Sequence, residues 1–384
     1  MRITGDWLTR AGTQEVLAML EAAGHRAWAV GGCVRNAILG EPVADVDIST
    51  DARPERVAAL AAAAGLKCVP TGIGHGTVTV IAGHEPYEIT TFRRDVETDG
   101  RRAVVAFADR IEDDAMRRDF TMNALYARRD GEVSDPLGSG IADALARRIR
   151  FVGEPGARIR EDYLRILRFF RFLAWYGDPA EGPDPEGLAA CAELADGIGT
   201  LSRERIGAEM KKLLSAPDPA PAVAAMAASG VLTRILPGAD PRALPVLVHL
   251  ENGEPPRWTR RLACLGGEGW RDLRLSSAET RSMESLSEAT REGGLPAALG
   301  HMFGAEIATD AILARAALTG NPPPRGWREN IARGAAGTFP VTAADLMPGL
   351  SGPALGARLR ALKQAWLASD LRLSRAALLA LPEA

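Results

Sequence analysis

The residues of this chain with the types and spacing for chemistry begin at Asp45 and Asp47, one residue apart in Asp45-Val46-Asp47-Ile48. Side chains alternate along a strand, so both carboxylates point to one face. Two like charges held close are costly unless a cation lies between them. Hard oxygen ligands on a rigid strand suit Mg2+ that also holds substrate phosphates. Upstream, Gly31-Gly32 lets backbone N–H groups approach an anion closely, and Arg35 follows within a short predicted helix. The combination points to metal-assisted phosphoryl or nucleotidyl chemistry. An Asp-x-Asp pair alone reads as solvated surface; the whole string from Gly31 to Asp47 is more specific.

Three further groups stand downstream. Glu88, in Tyr87-Glu88-Ile89-Thr90-Thr91-Phe92-Arg93, lies on a predicted strand, either facing solvent or adding a third carboxylate to Asp45 and Asp47. The string Arg117-Arg118-Asp119-Phe120-Thr121-Met122-Asn123-Ala124 puts a helix-start carboxylate beside a cation, an arrangement that a cap and an ion pair would also produce. In Glu161-Asp162-Tyr163-Leu164-Arg165, the spacing predicts Asp162 and Arg165 on one face of a helix, while Tyr163, Ile166, Leu167 and Phe170 form its apolar face. Without context that is an ion pair on an amphipathic helix.

The elements that must position these groups follow from periodicity. Helical spacing over residues 14–23 stops at Gly24, and residues 28–30, 34–39 and 46–49 read as strand, helix and strand. A helix from Pro54 to residue 64 ends at Gly65. Residues 69–76 read as a glycine-rich connection, and residues 77–81 and 87–92 as paired strands turning near Gly83-His84. Residues 93–102 read as a charged loop. The chain to residue 137 is therefore a small α/β domain around a mixed sheet. Beyond Gly138 the strand signal nearly vanishes, and helices alternate with breaks at Gly182-Pro183, 217–219, 253–256, 266–267, 322–324 and Pro340.

Length and composition agree with this division. A chain of 384 residues suggests two or three domains, and scarce aromatics with abundant alanine, leucine and arginine favour helix. The formal net charge of −3 does not advertise a nucleic-acid binder, so an RNA partner must meet a local basic surface. Cys33, Cys68, Cys191 and Cys264 form no Cys-x-x-Cys pair, which argues against zinc and a disulfide framework and for reduced thiols. No apolar run has transmembrane length and no apolar segment follows a basic start; a soluble, cytoplasmic protein is expected.

With these motifs in this order, the chain over residues 25–214 resembles the class II CCA-adding enzymes (tRNA nucleotidyltransferases) and bacterial poly(A) polymerases. Asn36 stands where that family usually carries Asp, keeping a hydrogen-bonding side chain without the charge. The resemblance implies an α/β nucleotidyltransferase head over residues 1–137, a helical neck for base recognition over 138–214, a helical body over 215–330 and a tRNA-binding tail over 331–384. Residues 339–346 and 352–356 look like the tail of related bacterial enzymes.

The resemblance also implies roles. Asp45 and Asp47 would hold two Mg2+ ions, with Glu88 completing or supporting the catalytic carboxylates. Gly31, Gly32, Arg35, Arg118, Asp119 and Asn123 would bind the nucleotide, the Arg-Arg-Asp string taking its ribose and triphosphate through guanidinium forks and a carboxylate. Asp162 and Arg165, with Arg168, would read the incoming base. A carboxylate accepts from the exocyclic amine of C or A while a guanidinium donates to the adjacent ring nitrogen, and one such bidentate contact discriminates by roughly 1–3 kcal/mol. Glu161, Glu204 and Arg205 would support that reading helix, and Gly138 and Asp143 would act at the hinge between head and neck. The loop at 93–102 resembles the one that helps related enzymes switch from C to A.

The implied activity is template-independent addition of C, C and A to a tRNA 3′ end from CTP and ATP, with pyrophosphate released. Poly(A) polymerases share the motifs but carry a more basic segment where this chain has residues 69–80. A catalytically dead RNA-binding module would not need Asp45, Asp47, Asp119, Asp162 and Arg165 together, and an Asp-x-Asp glycosyltransferase has no use for the later strings. No histidine is followed by aspartate, so no histidine-aspartate phosphohydrolase activity is expected.

Overall fold

The computed structural model describes residues 1–99, 102–267 and 269–382. They divide into two compact units, Met1–Ser202 with Ala225–Arg234, and Arg203–Ala224 with Ile235–Ala384.

The first unit opens with α1 (Asp6–Thr9), α2 (Ala11–Ala22), β1 (Ala27–Val30), α3 (Gly32–Leu39), β2 (Asp47–Thr50) and α4 (Pro54–Ala63). It continues through β3 (Lys67–Gly72), β4 (Thr77–Ala82), β5 (Glu85–Thr91), and the pair β6 (Arg93–Asp99) and β7 (Arg102–Phe107). After α5 (Ile111–Met116), the short strands β8 (Tyr126–Ala127) and β9 (Val133–Ser134) complete a seven-stranded sheet in the order β3-β4-β5-β2-β1-β8-β9. The β2–β5 pair is parallel and the others are antiparallel, so the sheet is mixed. Helices α6 (Gly140–Leu145), α7 (Pro155–Glu161), α8 (Leu164–Tyr176) and α9 (Pro185–Glu193) follow.

Local chemistry accounts for most of these elements. Pro54 opens α4 and Gly65, at φ 74°, follows its end. Every residue of β1 is buried, as a central strand requires, and β4 alternates half-buried with buried positions. Trp28 and Phe92, with ring centroids 5.6 Å apart, anchor a core with Val30, Ala115, Tyr126 and Val152. A second aromatic group ties α8 down: Phe120 lies 4.9 Å from Phe172, and Phe151 stacks on Phe169 at 5.5 Å.

Three expectations change. The connection at 69–76 includes an edge strand: β3 pairs with β4, and its register shifts between Val69 and Gly72 around Pro70. An edge strand tolerates proline and a bulge, and with little burial it has no apolar alternation to read. The charged loop at 93–102 is an antiparallel ribbon, β6 with β7; its tip, residues 100–101, lies outside the described residues. Finally, the helix expected across Asp162 is two helices. Asp162 adopts φ −155°, ψ 106°, ending α7, and its side chain accepts from Leu164 N at 3.1 Å, turning the chain into α8.

The second unit begins with α10 (Arg203–Leu214); α11 (Ala220–Ala228) and α12 (Val231–Ile235) straddle the division in the chain. Next come α13 (Leu244–Leu250), α14 (Trp258–Leu265), α15 (Ser277–Glu292), α16 (Pro296–Thr319, interrupted at Gly304), α17 (Trp327–Ala336), α18 (Gly352–Ala368) and α19 (Arg375–Leu379). Its interior holds charge. Arg260 and Arg261 of α14 are fully buried; Arg260 bonds Glu251 and Asp310 at 2.8 and 2.9 Å, and Arg261 bonds Glu251 at 2.8 Å and the Leu214 carbonyl at 2.7 Å. Two adjacent arginines in this helix gave no sign of this in the sequence, because most of their acceptors come from distant residues: 214, 216, 217, 251 and 310, with Pro255 nearer by. Among the described residues, no helix is long and apolar enough to cross a membrane.

Candidate active site

The site is built on the end of β1. Gly31 sits at φ 75°, ψ −118°, a conformation that glycine alone adopts readily, and caps α3. A Cβ on Gly31 would stand 3.2 Å from Arg118 Nη1, so the missing side chain lets backbone and guanidinium face the same space. A Cβ on Gly32 would contact Arg35 Nη2 at 3.7 Å.

Beside this loop, Asp45 and Asp47 are exposed while Val46 and Ile48 are buried, the alternation expected, although β2 itself begins at Asp47. Asp47 lies opposite Glu88 in the parallel β2–β5 pair, so three carboxylates share one region of the sheet. Although Asp47 keeps solvent-accessible surface, desolvation of its carboxyl by the surrounding protein and the Glu88 anion raise it above its ordinary value; Arg118 opposes them, and Asp45 adds to the rise. Among the described residues, no three His, Cys, Asp or Glu side chains converge as a ready-made metal position. The donor chemistry nevertheless fits a hard divalent cation: oxygen ligands of one sign, close enough that the charge on Asp47 is disfavoured.

Arg118 is fixed from behind. Its Nε donates to the Tyr126 hydroxyl at 3.1 Å, and its Nη2 donates to Asp114 Oδ2 at 3.0 Å and Ser49 Oγ at 3.5 Å. Asp114 is fully buried and also accepts from Arg117 Nε at 2.9 Å, the Tyr126 hydroxyl at 2.8 Å and Ser49 Oγ at 3.2 Å. Burial alone would raise its carboxyl, but Arg118 and Arg117 hold it well below the ordinary range. Asp114, Ser49 and Tyr126 carry no motif in the sequence that marks them. The one available signal was the four-residue step from Asp114 to Arg118, the spacing of a helical ion pair.

The remaining predicted residues form a chain of hydrogen bonds. Arg35 is buried; its Nη2 donates to Asn36 Oδ1 and the Tyr176 hydroxyl, both at 2.8 Å, and its Nη1 donates to Asn123 Oδ1 at 2.5 Å. Asn123 Nδ2 donates to Asp119 Oδ1 at 2.9 Å, and Arg168 Nε donates to Asp119 Oδ2 at 2.7 Å. Burial acts to raise the Asp119 carboxyl, but Arg168 and the Asn123 amide bring it down to about 2. Asn36 completes the chain: it accepts from Arg35 while its Nδ2 donates to the Pro42 carbonyl at 2.7 Å, a bond that a carboxylate there would lack. The amide therefore serves both neighbours.

Arg165 is held by Glu161, by the Arg158 carbonyl at 2.7 Å and by the Arg117 carbonyl at 3.3 Å. Arg158 reaches the Arg118 carbonyl at 3.0 Å and also pairs with Glu161. Asp162 and Arg165 thus belong to the α7–α8 junction and not to one helical face. The Arg165 amide donates to the Asp162 carbonyl at 3.0 Å. At the expected hinge, Gly138 has φ 73° and Asp143 accepts from Thr121 Oγ1 at 2.7 Å. Glu204 and Arg205 open α10, in the second unit.

Residues 27–150 match the model of the poly A polymerase head domain, and residues 183–242 match that of the probable RNA and SrmB-binding site of polymerase A. The crystal structure of the Bacillus stearothermophilus CCA-adding enzyme in complex with CTP superposes with a TM-score of 0.70 at 29% identity, covering 94% of this chain and 93% of that one. Over these residues the chain is similar to the class II CCA-adding enzyme and poly(A) polymerase family. Within this family, the CCA tRNA nucleotidyltransferase 1, mitochondrial, of Danio rerio is 44% identical over 188 residues, 48% of this chain and 43% of that protein. The CCA-adding enzyme of Geobacillus thermodenitrificans is 38% identical over 251 residues, 65% of this chain and 56% of that protein. The chain thus matches about half the length of its curated relatives. A Thermotoga maritima CCA-adding enzyme complexed with tRNA shares the fold, with a TM-score of 0.68 at 19% identity over 95% of this chain and 92% of that one.

Proposed function

We propose that this protein is a tRNA nucleotidyltransferase that adds C, C and A to the tRNA 3′ end from CTP and ATP. The observation that carries this reading is the meeting of Asp47 and Glu88 across β2 and β5, with Asp45, Gly31 and Arg118 beside them. Relatives named for CCA addition give the substrate class.

In the reaction, the tRNA 3′-oxygen bonds to the α-phosphorus of the nucleotide as the bond to the departing pyrophosphate breaks. Asp45 and Asp47 would hold Mg2+, which when bound supplies an acidified 3′-hydroxyl and neutralises triphosphate charge. Arg118 grips phosphate oxygens next to the Gly31 loop, and Asp119 with Asn123 faces the sugar. Glu88 supports the two aspartates. Asp162 and Arg165 choose the base, and Glu161 presents Arg165. The head to residue 137, neck to 214, body to 330 and tail divide the labour of chemistry, base choice and tRNA holding. A cytoplasmic site of action fits the dispersed cysteines.

Because the matching family models carry the poly(A) polymerase name, that activity is the second reading. Purified protein, a tRNA lacking its 3′-CCA and Mg2+, with each nucleotide alone and combined, distinguishes the outcomes. Incorporation of C, C and A that then stops supports the proposal. Unlimited A addition makes the protein a poly(A) polymerase, and no incorporation with retained tRNA binding makes it an RNA-binding module.

A further inference from the structure

The guanidinium of Arg118 has two unlike sides. Nε and Nη2 are committed to Tyr126, Asp114 and Ser49, whereas Nη1 has no acceptor among the described residues and faces Gly31. A planar guanidinium pinned along one edge can no longer rotate, so its remaining corner points in a fixed direction. The pin is a closed triangle. Arg118 donates to both Tyr126 and Asp114, and the Tyr126 hydroxyl donates onward to Asp114 over 2.8 Å. Ser49 brings β2 into the same network, two residues after Asp47 on the same strand.

We infer that Asp114, bridged by Tyr126, is a positioning residue that aims Arg118 Nη1 at the triphosphate beside the Gly31 loop. The inference rests on the reading of Arg118 as a phosphate contact. Asp114 cannot touch substrate itself, because it is fully buried and its two oxygens already receive Arg117, Arg118, Tyr126 and Ser49. Its contribution is directional: a buried anion draws the guanidinium back to the sheet, so that Arg118 cannot collapse onto the carboxylate of Asp47. Arg118 then stays available to an incoming phosphate oxygen. Arg117, bonded to Asp114 through Nε, braces the opposite oxygen and keeps the carboxylate from turning.

The test uses the full chain and two probes, CTP and inorganic tripolyphosphate, each bound in the presence of Mg2+ and without tRNA. Asp114→Asn and the milder Tyr126→Phe are each expected to weaken both probes, by about tenfold for the loss of a charge-assisted bond, while tRNA affinity is unchanged. Arg118→Ala is expected to weaken both probes at least as much, and adding Asp114→Asn to it should cost nothing further. In turnover, the same variants raise KM for the nucleotide and leave KM for tRNA unaltered, a split that general loosening of the fold does not produce. Normal probe binding by Asp114→Asn and Tyr126→Phe, alongside loss in Arg118→Ala, overturns the positioning role. Normal probe binding by Arg118→Ala instead overturns the phosphate-contact reading beneath it. Should Asp114→Asn fail to fold, Tyr126→Phe decides, since it keeps the buried ring and removes a single hydroxyl.

Discussion

Asp47 stands across the parallel β2–β5 pair from Glu88, and Arg118 is the cation that acts on its carboxylate. Residues that are 41 positions apart in the chain are thereby neighbours on one patch of sheet, next to a glycine loop shaped for close approach.

Replacing either aspartate by alanine removes the hard-oxygen donors without disturbing the buried neighbours Val46 and Ile48. Asp45→Ala and Asp47→Ala should abolish nucleotide incorporation while tRNA still binds. Glu88→Gln should slow it by roughly 10²-fold, the scale of losing one electrostatic contact in a reaction site. Incorporation assays paired with tRNA gel shifts check this; retained turnover in Asp47→Ala removes the metal assignment.

Base choice should reside in the α7–α8 junction. For Arg165→Ala the expected loss is roughly 1–3 kcal/mol of discrimination for CTP and ATP over GTP and UTP. Glu161→Gln should act in the same direction with a smaller effect, because the Arg158 and Arg117 carbonyls still hold Arg165. Competition between nucleotides in single-addition assays measures both.

Asp119 gives the stability of the first unit a pH dependence. Its folded pKa of about 2 lies below the ordinary value of 3.8. A depressed carboxyl stabilises the fold above its unfolded pKa, and that contribution fades as pH falls from about 4 through about 2. The shift corresponds to roughly 2 kcal/mol. In urea unfolding at stepped pH, Asp119→Asn should be less stable at neutral pH, and its deficit should shrink across that window. A constant deficit from pH 6 to pH 2 counts against the assignment.

The buried charges of the second unit should be expensive to break singly. Glu251→Gln leaves Arg260 and Arg261 short of their shared anion, and Arg261→Ala strips donors from Glu251 and the carbonyls at residues 214–217. Each is expected to cost about 3–5 kcal/mol, since buried charged and polar groups lose partners that the interior does not replace. Calorimetry of the variants tests this, and a change below about 1 kcal/mol would show that water already reaches the cluster.

The identities of the candidate site residues were legible in the sequence because they are set by chemical type and local order. Gly31-Gly32 and the Asp45–Asp47 pair are readable from turn chemistry and alternation, Glu88 only through the resemblance to related enzymes, and α2, α3, α4, β4 and β5 from periodicity. The structure alone decided what each group leans on. Asp114 reaches across to Ser49 and Tyr126, Arg35 joins Asn123 to Tyr176, and Arg165 turns to Glu161 at a junction that periodicity had drawn as one continuous helix. The reason is physical. Alternation and helical period record which face of an element is buried, and that is a local property of the chain. A hydrogen-bond network records which donors meet which acceptors after distant segments pack. Side-chain partners are therefore a property of the packed fold, while the candidate carboxylates and glycines follow from local chain chemistry.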